Sequence, residues 1–362
     1  MYQVSIVIVS YNTPQLLEKC IQSLYAHKGT LTIEIIVVDN APGDGSEEII
    51  TPKYPDVAWI NSGYNAGYSR GNNIGIKAAQ GEYVLLLNPD AFLPEKYLND
   101  LLEYFQKLEK TTKVGLLTSR IISSIDQQLL IGSGIGFIGW KHELNKNPFW
   151  ILMKRWSKCF DTLRHTSTHF DRLSRVSSTE SAQRSQLSNL RNYKKYNAIS
   201  KHYTNHEIDF ASGACVLFNR IKLTTENLLL DDDFFLYWED VEWSFRLKKN
   251  GYRNFFCGEL EMYHVNAAST GKSTTKNAQI RISEFLYYFK RYNRMNYYLF
   301  GLLIRMNFSM NCFLLKRKKR LTLLKELKED RLLFSRYYYK IPKIYSKNKT
   351  TSKLYFKYAE QD

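Results

Sequence analysis

Acidic residues stand at three places in this 362-residue chain where a carboxylate could do chemistry. Asp39 and Asp90 each follow an apolar run, and Asp240 follows Glu239 at the start of an amphipathic segment. A carboxylate at the end of a strand can bind a metal ion, accept hydrogen bonds from a substrate or only cap the next helix. At a helix amino terminus the dipole favours the ionised form, which a general base needs at neutral pH.

The stretch GEYVLLLNPDAFLPE, residues 81–95, organises the elements that must position these groups. Its apolar run at 83–87 is too short for a typical helix, so we predict a fully buried strand. Pro89 cannot donate a hydrogen bond to a neighbouring strand, so pairing stops there and Asp90 lies at the carboxyl end of a central strand. In open α/β sheets, ligands bind at that edge.

Strands and helices alternate before residue 118, which predicts parallel βαβ units in a doubly wound sheet. Predicted strands are 4–9, 33–38, 57–60, 83–87 and 114–117, and predicted helices are 14–27, 66–79 and 94–108. Asp39 and Asp90 then share one edge of the sheet. The chain has no GxGxxG after the first strand and no GxxxxGK[ST], which disfavours a dinucleotide-binding or P-loop protein.

The fold resumes at residues 208–220, where Gly213 and Ala214 would let a backbone approach a ligand closely. We predict a helix from Trp238 to Asn250, with Glu239 and Asp240 at its amino terminus. The alternative role for both carboxylates is to cap that helix.

A further strand is predicted at 252–257, and His264 follows it. His264 is either a satisfied core histidine or a ligand of a metal ion or phosphate.

The net charge of +16 lies in two segments. Residues 141–205 hold 13 Lys and Arg against 4 Asp and Glu, and residues 316–362 hold 15 against 5, which leaves −3 for the rest. We interpret 141–205 as an insertion, either a functional segment or a solvated loop. The near-neutral body and the absence of a recognised motif disfavour a nucleic-acid-binding protein.

Residues 281–315 predict a helix rich in aromatic residues. Its part 297–315 approaches the length of a membrane span, but polar residues interrupt it at Arg305, Asn307 and Asn311. An interfacial amphipathic helix fits better, because KRKKR follows at 316–320. The alternative is a helix packed on the domain with a solvated basic tail.

Five dispersed cysteines without a CxxC pair favour reduced thiols in the cytosol over a disulfide framework or a zinc site. The amino terminus shows no charged leader, so secretion is not expected.

Together the motifs resemble the family 2 glycosyltransferases with a GT-A fold, most closely the bacterial rhamnosyltransferase type. The matching pieces are VSIVIVSYN (4–12), IIVVDNAPGDGS (35–46), NAGYSRGNNIGIKAAQGEYVLLLNPDAFL (65–93), SGACVLFNR (212–220) and FFLYWEDVEWSFRLKKNGY (234–252). The resemblance implies a Rossmann-like mixed, mainly parallel α/β sheet flanked by helices. Residues 1–280 would form that domain with the basic insertion, and 281–362 a helical, aromatic and basic region for membrane association.

The resemblance also implies roles for individual residues. Donor-binding residues would be Ser10, Asn12, Asp39, Arg70, Asn88 and Asp90, a divalent cation (Mg²⁺ or Mn²⁺) would contact Asp90 and His264, and catalysis would fall to Asp240 as the base, with Glu239 beside it. The family's acidic DxD-type element reads Asn88-Pro89-Asp90 here, so its first carboxylate is absent.

The implied function is inverting transfer of a sugar from a nucleotide donor, such as dTDP-rhamnose or a UDP-sugar, to a lipid-linked glycan of the cell surface. The basic segments would dock the enzyme on the anionic inner face of the cytoplasmic membrane. Two alternatives stay open: a catalytically impaired sugar-nucleotide-binding or assembly subunit, and a nucleotidyltransferase, whose glycine- and lysine-rich phosphate loop is not visible.

Overall fold

The computed structural model describes residues 2–124, 129–131, 205–265, 273–291, 293–317, 328 and 331–342. The chain divides into two compact units, one of residues 1–133 with 205–362 and one of residues 134–204. The second unit, and with it nearly all of the predicted basic insertion, lies outside the described residues.

Parallel strands form one half of the sheet, in the order β3-β2-β1-β4. The elements are β1 (Val4–Ser10), α1 (Pro14–His27), β2 (Ile33–Asp39), α2 (Ser46–Ile50), β3 (Ala58–Asn61), α3 (Gly67–Ala78) and β4 (Tyr83–Leu87). Buried runs of Val, Ile and Leu form these strands because both faces of the sheet are covered. Ser10 pairs with Asp39, so the carboxyl ends of β1 and β2 stand side by side.

The other half of the sheet is mixed. Its elements, with the helices that follow, are β5 (Ala91–Phe92), α4 (Tyr97–Glu109), β6 (Val114–Ser123), β7 (Leu129–Ile131), β8 (His206–Ile208), β9 (Cys215–Asn219), α5 (Arg220–Thr225), α6 (Glu239–Lys249), β10 (Arg253–His264), α7 (Ser273–Arg291), α8 (Arg294–Arg317) and a 3₁₀ turn (Tyr338–Lys340). Strand β9 runs antiparallel between β4 and β6, and β10 runs parallel to β6.

The predicted mixed, mainly parallel sheet flanked by helices, of the GT-A type, is confirmed. Strand β4 has the predicted bounds and lies centrally, between β1 and β9. Several boundaries differ from prediction. Strand β6, predicted at 114–117, extends to Ser123, and helix α4, predicted from residue 94, begins at Tyr97. Strand β10 continues to His264, and the helix predicted at 281–315 is two helices, of which the first begins at Ser273.

Helix α3 lies unusually close to the sheet because of Gly75. A Cβ atom at this position would lie 2.3 Å from Val7 Cγ1 on β1. Only glycine permits this contact without movement of the sheet. The amino-terminal end of α3, which carries Tyr68 and Arg70, is thereby held near the carboxyl ends of the strands.

Two apolar clusters stabilise the unit. One lies between the sheet and helices α1 and α4 and includes Leu17, Ile21 and Phe105, all fully buried. The other is largely aromatic and joins α7, α8 and residues 331–341 to Phe234, in the loop before α6. Among the described residues, no helix is long and apolar enough to cross a membrane.

Candidate active site

Ser10 and Asp39 form a polar pair at the carboxyl edge of the sheet. Both are buried, and the Ser10 hydroxyl has no hydrogen-bond partner among the described residues. Asp39 Oδ1 accepts a hydrogen bond from the Ala41 amide at 2.8 Å. Burial raises the pKa of Asp39. A hydroxyl and a carboxylate in this position can bind the hydroxyl and N–H groups of a nucleoside.

Asn12 and Arg70 are two further residues that are predicted to contact the donor. Asn12 is exposed and has a left-handed backbone, with φ 53°. Arg70, on α3, donates from Nε to the carbonyl of Asp232 at 2.9 Å. The side-chain amide of nearby Asn73 donates from Nδ2 to Asp232 Oδ1 at 2.7 Å. Arg70 therefore ties α3 to the loop before α6.

Asp90 and His264 meet at the end of β4. His264 Nε2 lies 3.0 Å from Asp90 Oδ1 and 3.1 Å from Asn88 Nδ2. Antiparallel pairing of Ala91 with His264 holds the two strands in register, and the Val265 amide donates to the Asp90 carbonyl at 3.0 Å. The structure thus brings together Asp90 and His264, the two residues predicted to contact a cation, with Asn88, a predicted donor contact, beside them.

The Asp90 and His264 side chains fit a divalent cation in type and spacing. Adjacent ligands of an octahedral Mg²⁺ lie about 3 Å apart, since each is about 2.1 Å from the metal. Asp90 Oδ1 and His264 Nε2 have this separation. Within the described part of the chain, no cluster of three or more His, Cys, Asp and Glu could hold a metal ion. The protein therefore offers an incomplete ligand set, as Mg²⁺ sites completed by substrate phosphates and water do.

Glu239 and Asp240 begin α6, directly after two residues in the left-handed region. Tyr237 has φ 66° and Trp238 has φ 67°, a conformation that costs energy in side chains of this size. It turns the chain so that Asp240 Oδ1 accepts from the Val241 amide at 2.8 Å. The capping role weighed for Asp240 is therefore present locally.

The pKa values of Glu239 and Asp240 are raised, whereas the helix dipole would lower them. Burial raises the pKa of Asp240 to about 6, although the surrounding amides favour the charged form. Burial, and then the charge of Asp240, raise the pKa of Glu239 well above its usual range. Desolvation thus outweighs the helix dipole for both groups. At neutral pH Asp240 is mostly ionised.

Gly213 and Ala214 connect the two acidic groups. The Gly213 amide donates to Asp240 Oδ2 at 3.4 Å, and the Ala214 carbonyl accepts from the Asn88 amide at 3.0 Å. Asn88 is two residues before Asp90. The base candidate and the strand end that carries the cation candidate are therefore held by neighbouring residues of one chain segment.

Tyr68, on α3, is a site residue that the sequence did not nominate. Its hydroxyl donates to the Gly213 carbonyl. A Cβ atom on Gly213 would lie 2.8 Å from that hydroxyl oxygen, so the glycine makes room for Tyr68. Its close approach to a ligand stays a prediction. The tyrosine in NAGYSRGNN gave no signal for this contact, because its partner is 145 residues away.

The aromatic cluster supports the loop that precedes Asp240. Trp238 packs on the rings of Tyr287 and Tyr288 of α7, with centroids 5.3 and 6.0 Å away. Lys290 of the same helix forms ion pairs with Asp231 and Asp233. Helix α7 is thereby part of the scaffold of the site.

Comparisons with known proteins identify relatives. Residues 5–160 match the family model described as "Glycosyl transferase family 2". The low-salt glycan biosynthesis hexosyltransferase Agl10 of Haloferax volcanii is 24% identical over 264 residues, 72% of this chain and 66% of that protein. The N-acetylglucosaminyl-diphospho-decaprenol L-rhamnosyltransferase of Mycobacterium tuberculosis is 22% identical over 283 residues, 74% of this chain and 77% of that protein.

Among solved structures, the mannosyltransferase PcManGT from Pyrobaculum calidifontis in complex with GDP-Man and Mn²⁺ has a TM-score of 0.46 and 16% identity. The match covers 78% of this chain and 63% of that one. This chain spans slightly less than two thirds of the Haloferax hexosyltransferase.

The Asp240→Asn variant is expected to be more stable than the wild type at pH 7.5. A raised pKa means that the folded protein holds the Asp240 proton more tightly than the unfolded chain, so this group lowers stability as pH rises from about 4 to about 6. The gain should be of the order of 1–3 kcal/mol at pH 7.5 and vanish near pH 4.

Urea unfolding at both pH values measures this difference. Asp100→Asn is the control, because Asp100 is an exposed aspartate on α4. A difference between Asp240→Asn and the wild type that did not change with pH would contradict the burial argument.

Proposed function

We propose that this chain, which carries a family 2 glycosyltransferase domain at residues 5–160, is an inverting glycosyltransferase of cell-surface glycan synthesis. It transfers a sugar from a nucleotide donor, such as dTDP-rhamnose or a UDP-sugar, to a lipid-linked glycan. The link from Asn88 through Ala214 and Gly213 to Asp240 supports this most directly. It connects the strand end before Asp90, which we assign to the cation, with Asp240, which we assign as the base.

The nucleoside of the donor binds at the ends of β1 and β2. Ser10, with its unused buried hydroxyl, and Asp39 contact the base and ribose. Asn12 stands beside them, and Arg70 reaches the base or the phosphates. These contacts fix the diphosphate over the end of β4.

Asp90 and His264 would hold Mg²⁺ or Mn²⁺, with Asn88 beside them. When bound, the cation neutralises the charge that develops on the departing nucleoside diphosphate. Because Asn88 replaces the first carboxylate of the acidic element, the protein contributes less negative charge to the cation, and we expect the nucleotide to complete the site.

Asp240 removes the proton of the acceptor hydroxyl as that oxygen attacks the anomeric carbon. One displacement on the face opposite the leaving group inverts the anomeric centre. Asp240 is mostly ionised at neutral pH, and the Gly213 and Val241 amides fix its orientation. Burial and the charge of Asp240 raise the pKa of Glu239, which disfavours a second negative charge beside the base.

A lipid-linked acceptor is proposed from two observations. The mycobacterial relative is by name a transferase acting on a diphospho-decaprenol glycan. The segment 316–362 has a net charge of +10, which suits peripheral binding to the anionic inner face of the cytoplasmic membrane.

The competing function is a catalytically impaired sugar-nucleotide-binding or assembly subunit. Asn88 favours it, since a carboxylate is missing where the family places one. The two proposals differ in turnover and not in nucleotide binding.

Calorimetry with dTDP, UDP and GDP, with and without Mg²⁺ or Mn²⁺, tests the donor site. One nucleotide should bind selectively and more tightly with the cation. Asp90→Ala should remove the cation enhancement, because it deletes the carboxylate ligand, and Asp100→Ala should leave it unchanged. Absence of nucleotide binding by the folded wild type would contradict the donor site.

Turnover by the wild type and by the Asp240→Asn variant distinguishes a glycosyltransferase from the impaired subunit. With the donor identified, its transfer or donor hydrolysis should fall about 10²–10⁴-fold, because the proton acceptor is lost. Its nucleotide affinity should stay within a few-fold of the wild type. Full activity in this variant would refute Asp240 as the base, and a wild type that binds donor without any turnover would favour the impaired subunit.

A further inference from the structure

Helix α8 carries apolar side chains on two opposite sides. One side, with Tyr297, Ile304 and Phe308, packs in the aromatic cluster against α7 and residues 331–341. Tyr297 stacks on Tyr338 with ring centroids 4.2 Å apart. Through this side, α8 is attached to the domain.

The opposite side of α8 is an exposed apolar stripe, formed by Met295, Leu299, Leu302 and Met306. Their exposed fractions are 75%, 43%, 52% and 52%. Spacings of four, three and four residues align them on one face, over about 17 Å of helix. A contiguous apolar face of this kind marks an interaction site, whereas single exposed apolar residues do not.

Charges around the stripe indicate what covers it. Helix α8 contains no acidic residue, and its exposed Arg294 and Arg305 lie together along one border of the stripe. KRKKR follows at 316–320. Two copies of this face would bring like charges together, whereas an anionic bilayer satisfies both the apolar and the basic groups.

We propose that the exposed face of α8 inserts into the surface of an anionic lipid bilayer. The apolar stripe enters the boundary between headgroups and acyl chains, and the arginines remain among the phosphates. This inference rests on the proposed function in one respect, the lipid-linked acceptor. Because α8 and Trp238 belong to the same aromatic cluster, lipid binding would hold the Asp240 loop at a fixed distance from the membrane.

Vesicle sedimentation of the full chain tests this surface, with phosphatidylglycerol–phosphatidylcholine vesicles against phosphatidylcholine alone. The Leu302→Gln/Met306→Gln variant should bind the anionic vesicles about tenfold more weakly or worse than the wild type, because apolar groups leave the interface. Ile221→Gln is the control, since Ile221 is also 52% exposed but lies on α5. Unfolding midpoints establish that each variant is folded.

The proposal is supported if the double variant binds the anionic vesicles more weakly than the wild type and the Ile221→Gln control does not. Equal vesicle binding by the double variant and the wild type, or no binding by the wild type, overturns it. A wild-type dimer that becomes a monomer in the double variant also overturns it and assigns the stripe to a second copy. Nucleotide calorimetry on the same samples keeps the outcomes separate, because a failed donor site would leave the vesicle result unchanged.

Discussion

The antiparallel pairing of β9 with β4 is the constraint on which the site depends. Leu87 pairs with Cys215, and one residue further on the Asn88 amide bonds to the Ala214 carbonyl. This pairing places Gly213 beside the end of β4, where its amide reaches Asp240. Strand β9 thus connects the end of β4, which precedes Asp90, with Asp240.

The arrangement carries a cost in stability that is concentrated where the chemistry is proposed. Tyr237 and Trp238 adopt left-handed backbones, and two carboxyl groups with raised pKa values follow them. The aromatic cluster offsets this cost by packing Trp238 against α7. The carboxyl-terminal helices therefore serve the site directly, in addition to any role at a membrane.

Local sequence patterns predicted the strands and helices that carry the site. Strand direction, long-range hydrogen bonds and burial depend on contacts between distant parts of the chain. The prediction that β4 ends before Pro89 is confirmed. The resemblance to the glycosyltransferases is confirmed by the family match. The direction of β9 could not be read from its five buried residues, because buried strands look alike in either direction. The contact of Tyr68 could not be predicted either, because a hydrogen bond to a distant carbonyl leaves no local sequence pattern. The raised pKa of Asp240 could not be predicted from its place at a helix amino terminus, because burial is a tertiary property.

Crystallographic location of Mn²⁺ by anomalous diffraction, in crystals grown with the bound nucleoside diphosphate, would test the central claim most directly. The account predicts one manganese peak in contact with Asp90 and His264, with the diphosphate on the cation and its free end facing Asp240. A nucleotide bound elsewhere, or a diphosphate whose free end faces away from Asp240, would contradict it.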